Sequence, residues 1–163
     1  MCILTWEYKN LEPDFSILFK HRTWNEQYVR WFQFFNVHTL VISDMIINSS
    51  ADIDKFKARI DNFSKFLDSE KNTNLNDTIF IKQYINYYFN QMKTHNSILK
   101  KKSKHYITRK RFLTNFIYAL NGYEFKNDKW KVLFECFKWY KPTTSAPVLT
   151  DEEQKMIIEL KNL

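Results

Sequence analysis

Apolar side chains recur every three or four positions along most of the chain, which is the spacing of one face of an α-helix. The clearest case is ADIDKFKARIDNFSKFLDS, residues 51–69, where Ser50 can cap the start and Asp52 and Asp54 favour the positive end of the helix dipole. Its apolar stripe consists of Ile53, Phe56, Ile60, Phe63 and Leu67. This pattern predicts an amphipathic helix.

A helix is also predicted upstream of that segment. Thr23 and Glu26 have the spacing of a capping box and aromatic residues follow at helical intervals, so the helix begins near Thr23. The β-branched residues between Val37 and Ile42 leave open whether it continues to about Ile47. Residues 3–8, ILTWEY, alternate weakly and favour a short extended arm or a segment packed on helices.

The next helix is predicted after the polar link EKNTNLN. Asn76 or Asp77 can open it, and its pattern continues to about Leu99. Its apolar face consists of Ile81, Tyr84, Ile85, Tyr88, Phe89 and Met92. The basic residues that follow therefore lie at the end of a helix.

The chain contains a single glycine, Gly122, which follows a helical stripe between Phe112 and Leu120. Glycine directly after the last apolar turn is typical of a left-handed helix cap, because a side chain there would clash. The sequence predicts that this helix ends at Gly122.

Two more helices are predicted near the carboxyl terminus. Asn127 or Asp128 caps a segment that extends to Pro142 and has few polar positions, so this helix should be buried on most sides. Thr150 and Glu153 form a second capping box. The last helix carries the apolar residues Met156, Ile157 and Leu160.

Composition agrees with a helical protein. One glycine and three prolines in 163 residues allow few tight turns, which argues against a hairpin-rich β protein. We therefore predict a single compact all-α domain of five or six helices, with an N-terminal extended arm as an option. Residues 1–141 would form a helical body, 142–149 a linker, and 150–163 a helix that is either docked or mobile.

Aromatic residues are unusually frequent: 15 Phe, nine Tyr and five Trp. Aromatic residues at helical spacing are usually core, but this number predicts that some lie at an interface. The candidates are Trp24, Trp31, Trp130 and Trp139.

Positive charge is concentrated in LKKKSKHYITRKR, residues 99–111, which contains seven Lys or Arg and no carboxylate. Without those seven, the chain has 18 basic and 18 acidic residues, so its whole formal net charge of +7 can be assigned to this segment. Like charges at this density repel one another unless solvent or an anion screens them. The alternative is that this segment is a solvated link between two helices and binds no ligand.

The position of the cations within the segment decides how a phosphate would be bound. If Thr108 is the N-cap, Arg109, Lys110 and Arg111 lie in the first turn, where three cations and free amide groups would form a phosphate site. If Ser103 is the cap, these cations lie inside the helix. Arg111 then joins Thr114, Asn115 and Tyr118 on its polar face.

Two further residues complete the predicted site. Tyr106 could stack on an unpaired base or fold back onto the core, and His105 lies beside it. The predicted nucleic-acid-binding residues are Lys100, Lys101, Lys102, Lys104, His105, Tyr106, Arg109, Lys110 and Arg111.

Enzymatic chemistry has little support in the sequence. A single glycine excludes a P-loop or a dinucleotide fingerprint, and the four histidines are scattered without a metal-binding motif. Cys136 falls in an apolar segment, which indicates an inert thiol. A helix-turn-helix with the segment 128–141 as recognition helix is disfavoured, because that segment is mostly apolar. We therefore expect no catalytic residues, no metal and no cofactor.

The cysteine pattern and the amino terminus bear on location. Cys2 and Cys136 are far apart and without ligand spacing, the amino terminus lacks a signal-peptide pattern, and no run is long and apolar enough for a bilayer. We expect a cytoplasmic protein, or a nuclear one in a eukaryotic host, without membrane contact.

The sequence favours non-enzymatic binding to nucleic acid or a nucleoprotein complex, with little reading of bases. The alternative is a small phage or viral inhibitor or adaptor that binds a host protein or a nucleoprotein complex through basic and aromatic surface. This alternative depends on small size and on the frequent Asn, Lys, Ile, Phe and Tyr expected of an AT-rich genome. The oligomeric state is not predicted.

Overall fold

The structure is a computed structural model that describes residues 26–48, 53–69, 78–94 and 104–163. Helices account for most of these residues. These ranges contain six helices and no β-strand. They are α1 (Glu26–Asn48), α2 (Ile53–Ser69), α3 (Thr78–Thr94), α4 (Lys104–Leu120), α5 (Asp128–Glu135) and α6 (Asp151–Asn162). The predicted all-α class with five or six helices is confirmed. The predicted N-terminal arm and the caps at Thr23, Ser50, Asn76 and Asp77 lie outside the described residues.

By internal packing the chain divides into two units, residues 1–36 and 37–163. Only the beginning of α1, residues 26–36, is described in the first unit. The second unit contains the rest of α1 and all of α2 to α6. The predicted division into residues 1–141, 142–149 and 150–163 stays a prediction.

Helix α1 continues without a break through the β-branched run that left its end open. Leu40 and Ile42 are buried there, and the Ser43 hydroxyl donates a hydrogen bond to the Thr39 carbonyl oxygen one turn earlier. A β-branched residue costs a helix roughly 0.5 kcal/mol, whereas burying a Leu or Ile side chain stabilises by roughly 1.5–3 kcal/mol. Burial therefore outweighs the local preference.

Helix α2 follows its predicted pattern. Phe56, Ile60, Phe63 and Leu67 are buried, while the charged residues between them are mostly exposed. On α1, the ring of His38 stacks on Phe66 of α2, with centroids 4.9 Å apart, and lies 6.1 Å from the Phe63 centroid. Burial lowers the pKa of His38, and the nearby charge of Arg59 lowers it further. The packed imidazole is therefore neutral near pH 7.

The core of the second unit is aromatic and is built from α3, α4 and α5. Phe112 and Phe116 of α4 meet edge to face at 4.5 Å, and they contact Trp130 at 6.2 Å and Phe134 at 5.3 Å, respectively. Edge-to-face and offset pairs of this kind stabilise by roughly 0.5–1.5 kcal/mol beyond the area that they bury. Every aromatic side chain that the structure describes is buried or half-buried.

The predicted interface role of the tryptophans is therefore wrong for Trp130, which is 6% exposed and lies in the core. Trp139 is half-buried beside Phe137, with ring centroids 5.0 Å apart. Trp24 and the side chain of Trp31 lie outside the described residues.

Helix α5 is shorter than predicted. Asn127 caps it, but it ends at Glu135 instead of continuing to Pro142. Phe137 and Tyr140 are both buried in the turns that follow, and the Tyr140 hydroxyl donates a hydrogen bond to the Tyr123 carbonyl oxygen at 2.8 Å. A long helix that is apolar on nearly every side cannot bury all its faces. Because the chain leaves helical geometry after Glu135, the rings of Phe137 and Tyr140 can both reach the core.

Gly122 ends α4 as predicted, with a φ of 74°. The Gly122 amide donates a hydrogen bond to the Ala119 carbonyl oxygen, and the Tyr123 amide donates one to the Tyr118 carbonyl oxygen. This is the hydrogen-bond pattern of a Schellman cap. The rings of Tyr118 and Tyr123 contact each other across this cap, with centroids 5.6 Å apart. The chain after α5 returns to the same turn, because the amides of Thr143 and Thr144 donate to the Gly122 carbonyl oxygen.

Helix α6 begins with the predicted capping box, in which Thr150 and Glu153 exchange hydrogen bonds of 3.2 and 3.0 Å. It packs against α4, and its residues Ile157 and Leu160 are buried. The Glu153 carboxylate also accepts a hydrogen bond from the Asn121 amide at 3.0 Å, which joins the start of α6 to the end of α4. Lys93 of α3 forms an ion pair of 2.7 Å with Glu159.

Replacing Gly122 with alanine should destabilise the protein. The added Cβ would lie 2.6 Å from Thr143 Oγ1 and 3.2 Å from the Lys141 carbonyl oxygen, and the left-handed backbone alone costs roughly 1–2 kcal/mol for a residue other than glycine. We expect a lower urea midpoint. Adding Thr143→Ala should recover the part of the stability loss that comes from the hydroxyl clash. The part that comes from the left-handed backbone should remain. An unchanged midpoint for Gly122→Ala would contradict the structure of this turn.

His38 should make stability depend on pH. Its folded pKa lies below the unfolded value of about 6.5, so the unfolded chain takes up the proton first as the pH falls. The free energy of unfolding should therefore be highest above about pH 6.5 and fall as the pH drops through the folded pKa. Urea unfolding of the protein and of His38→Gln, compared across this window, measures the effect. Equal pH dependence of the two proteins would exclude it.

Candidate nucleic-acid interface

The structure describes the side chains of only three of the predicted site residues. Lys100, Lys101 and Lys102 lie outside the described residues, as do the side chains of Lys104, His105 and Tyr106 in the first turn of α4. Arg109, Lys110 and Arg111 are described, and their environments differ.

Helix α4 begins at Lys104, five residues earlier than a cap at Thr108 would require. Thr108 is only 2% exposed and lies on the same face as the core residue Phe112. Because the helix starts at Lys104, Arg109, Lys110 and Arg111 lie inside it and away from its free amide groups. The phosphate site predicted for these residues at a helix start is therefore wrong in its geometry.

Arg109 points towards α3. Its guanidinium carbon lies 3.8 Å from the centroid of the Tyr88 ring, and its Nη1 donates a hydrogen bond of 3.1 Å to the Tyr84 hydroxyl. The Tyr84 hydroxyl also lies 3.2 Å from the Thr39 hydroxyl of α1. A cation over a tyrosine face is stabilised by roughly 0.5–2 kcal/mol, and more strongly where solvent is excluded.

The two tyrosines remain neutral in this environment. Burial raises the pKa of Tyr84 and raises that of Tyr88 well above its usual value, and the charge of Arg109 only partly opposes this effect. Arg109 is thus held by a ring face and a neutral hydroxyl. The contact joins α3 to α4 and belongs to the core of the second unit.

Lys110 also has a partner within the fold. Its Nζ donates a hydrogen bond of 3.2 Å to the carbonyl oxygen of Lys161, in the last turn of α6. The carboxyl end of a helix carries the negative end of its dipole, so a cation there is favourable by roughly 0.3–1 kcal/mol. Lys110 therefore helps to hold α6 against α4.

Arg111 differs from both of these neighbours because it is exposed. It shares the outer face of α4 with Thr114, Asn115 and Tyr118, as predicted for a helix that Ser103 caps. No Asp or Glu occurs anywhere in the 17 residues of α4. The structure thus separates the three cations into two that contact other helices and one that faces outwards.

Sequence reasoning missed the tyrosine partners of Arg109, although a signal was present. Arg109 lies three residues before Phe112 and four before Leu113, so helical register places it beside the apolar stripe. Tyr84 and Tyr88 are likewise one turn apart on α3. An arginine on an apolar stripe, opposite two tyrosines on another helix, is the pattern that predicts such a contact.

Other kinds of site find no support in the described ranges. No cluster of three or more His, Cys, Asp or Glu side chains there could hold a metal ion. Burial, together with the carboxylates of Asp61, Glu135 and Asp68, raises the pKa of the Cys136 thiol to about 11, so the nucleophilic thiolate is disfavoured. None of the described helices is long and apolar enough to span a bilayer.

A family model described as the YARHG domain matches residues 82–163, half of the chain. The chain belongs to the YARHG domain family. The matched range includes most of α3 and all of α4, α5 and α6, and it therefore contains the contact between Arg109 and the two tyrosines. No curated protein and no solved structure matches the chain.

The Schellman turn shares three of the five letters of the family name. Residues 118–122 read YALNG, which agrees with YARHG at the first, second and fifth positions. Each of these three has a physical role in the turn, since Tyr118 packs on Tyr123, Ala119 is buried, and Gly122 has a positive φ. In this YARHG chain, the turn joins the end of α4 to the start of α6.

Arg109 and Arg111 provide a matched test of these assignments, because they are two residues apart on one helix. Arg109→Leu removes the donor to the buried Tyr84 hydroxyl and should destabilise the protein by roughly 1–3 kcal/mol. Arg111→Leu changes an exposed side chain and should stay within about 0.5 kcal/mol. Urea denaturation of both variants measures the difference. Equal effects would exclude the structural role of Arg109.

Proposed function

We propose that this YARHG-family protein binds nucleic acid without catalysis, through the cationic segment of residues 99–111. The observation that carries the proposal is Arg111, a cation exposed on a helix that has no carboxylate. Nucleic-acid backbones present closely spaced phosphates, and neutralising them releases counterions, which is the main source of non-specific affinity.

The contacts of Arg109 and Lys110 narrow the set of phosphate ligands. Both side chains contact other helices of the fold, so they are not free to follow a ligand. The candidates for direct contact are the other five cations of the segment: Lys100, Lys101, Lys102, Lys104 and Arg111. Tyr106 and His105 stay candidates for base contacts.

The alternative of a host-protein adaptor loses part of its basis. It required exposed aromatic anchors, and every described aromatic side chain is buried or half-buried. The large apolar side chains that are exposed in the described ranges are aliphatic: Val37, Ile79, Ile107, Val148 and Ile158. A protein partner, a viral origin and a cytoplasmic or nuclear location stay predictions.

Salt dependence tests the proposed function directly. If five phosphates are engaged, the logarithm of the association constant for duplex DNA should fall with the logarithm of salt concentration at a slope of about 4–5. Arg111→Ala should lower that slope by about 1, because one phosphate contact is lost. Fluorescence anisotropy with labelled single- and double-stranded DNA and RNA measures both quantities.

Lys65→Ala is the matched control for this experiment, because Lys65 is an exposed cation on α2, outside the cationic segment. It should leave both the affinity and the slope unchanged. Polyglutamate and poly(glycerol phosphate) serve as competitors that offer carboxylates or phosphodiesters without bases. A flat salt dependence, or equal effects of the two variants, would exclude the proposed function.

A further inference from the structure

Carboxylates are absent from a stretch much longer than the cationic segment. The 46 residues from 78 to 123, which include all of α3 and α4, contain nine Lys or Arg and no Asp or Glu. The rest of the chain has 16 basic and 18 acidic residues. Two of the nine cations, Lys82 and Lys93, lie on α3, outside residues 99–111. The positive region of the chain therefore includes α3 as well as the cationic segment.

Lys93 is a cation of α3 that a carboxylate from another helix contacts. Its Nζ lies 2.7 Å from the Glu159 carboxylate of α6 and 5.0 Å from the centroid of the Phe89 ring, one turn earlier on its own helix. A hydrogen bond from the Lys93 ammonium lowers the pKa of the Glu159 carboxyl, so this carboxylate is ionised near pH 7. Glu159 therefore places a negative charge directly against a cation of the carboxylate-free stretch.

The end of α6 also brings Lys93 close to the cationic segment. Lys110, a member of that segment, donates a hydrogen bond of 3.2 Å to the carbonyl oxygen of Lys161, two residues after Glu159. Residues two apart in an α-helix are separated by about 3 Å along its axis. The same end of α6 therefore contacts one cation from α3 and one from α4. Lys93 lies outside the cationic segment in the sequence but beside part of it in the fold.

We propose that Lys93 is a further phosphate ligand of the nucleic-acid surface, and that Glu159 competes with the phosphate for it. This inference rests on the proposed function and deepens it, because it adds a ligand outside residues 99–111 and a competitor that belongs to the fold. In the free protein the Lys93 ammonium contacts the Glu159 carboxylate. In the complex a phosphate oxygen takes the place of the carboxylate oxygen.

The exposure of the ion pair allows this exchange of partners. The side chain of Lys93 is 45% exposed and that of Glu159 is 31% exposed. Ion pairs between solvent-exposed side chains contribute little to stability, whereas separating a buried pair leaves an uncompensated charge. Lysine also has a flexible stem of four carbons, which lets the ammonium turn to a new partner. Lys93 can therefore leave Glu159 without disturbing the core.

Helix α6 has other contacts that hold it in place when the ion pair is lost. Ile157 and Leu160 are buried, and the Asn121 amide donates a hydrogen bond of 3.0 Å to the Glu153 carboxylate at the start of α6. None of these contacts requires Lys93. Variants of the ion pair should therefore remain folded, so that their affinity for nucleic acid can be measured.

The test is a double-mutant cycle between Lys93 and Glu159 in the full-length protein. Glu159→Gln removes the competing charge and keeps the size of the side chain, so it should raise the affinity for labelled DNA or RNA by about 2- to 5-fold, the range expected of an exposed ion pair. The gain should depend on Lys93 and disappear when Lys93→Ala is added. Lys93→Ala should also lower the salt slope by about 1 in the Glu159→Gln background, and by less when Glu159 is present.

Glu152→Gln is the matched control, because it removes one negative charge from the same helix. Glu152 is exposed, and it has no ion pair in the part of the chain that the structure describes. Its replacement should change affinity only through the net charge, and this change should be the same with and without Lys93→Ala. Circular dichroism and urea unfolding establish that each variant is folded.

The outcomes separate this inference from the proposed function. Equal gains from Glu159→Gln and Glu152→Gln, a gain that persists without Lys93, or a salt slope that Lys93→Ala leaves unchanged in both backgrounds would overturn the role of Lys93. The proposed function would then remain intact. Absence of salt-dependent binding to DNA and RNA, in the unmodified protein and in Glu159→Gln alike, would overturn both. A gain from Glu159→Gln that requires Lys93 would establish the competition.

Discussion

The contact of Arg109 with Tyr84 and Tyr88 fixes how α4 is turned about its own axis. Its guanidinium lies on one ring and donates to the hydroxyl of the other, so this side of α4 must face α3. Successive residues of an α-helix are about 100° apart, and Arg111 is therefore turned about 200° away from Arg109. Placing one arginine in the core thus directs the other outwards. The outward direction of Arg111 on the outer face of α4 is a geometric consequence of that internal contact.

The carboxyl end of α4 depends on a second constraint, the left-handed conformation at Gly122. The Schellman turn allows the chain to leave α4 sharply, and residues 143 and 144 then return to donate hydrogen bonds to the Gly122 carbonyl oxygen. Asn121 at the same turn holds Glu153, whose other carboxylate oxygen caps α6. Helix α6 is thereby joined to α4 at both of its ends: by Lys110 near the carboxyl end of α6 and by Asn121 at its start.

Features that depend on a few neighbouring residues could be predicted from the sequence. The stripe of α2, the glycine cap at Gly122 and the capping box of Thr150 and Glu153 are all local, and the structure confirms each of them. The end of α5 and the direction of Arg109 could not be predicted in this way. They depend on Tyr123 and Tyr84, which are brought close only by packing between distant segments.

Charge shows the same limit of local reasoning. Nothing in the sequence distinguishes the seven cations of this segment from one another. Packing holds Arg109 and Lys110 in fixed positions and leaves Arg111 at the surface. A tyrosine ring and a hydroxyl contact Arg109, and a backbone carbonyl oxygen contacts Lys110. Long-range attraction depends on summed charge, whereas discrimination between ligands depends on the few side chains that can touch them. The packed pair is therefore fixed by the fold, whereas Arg111 is available for contact with a ligand.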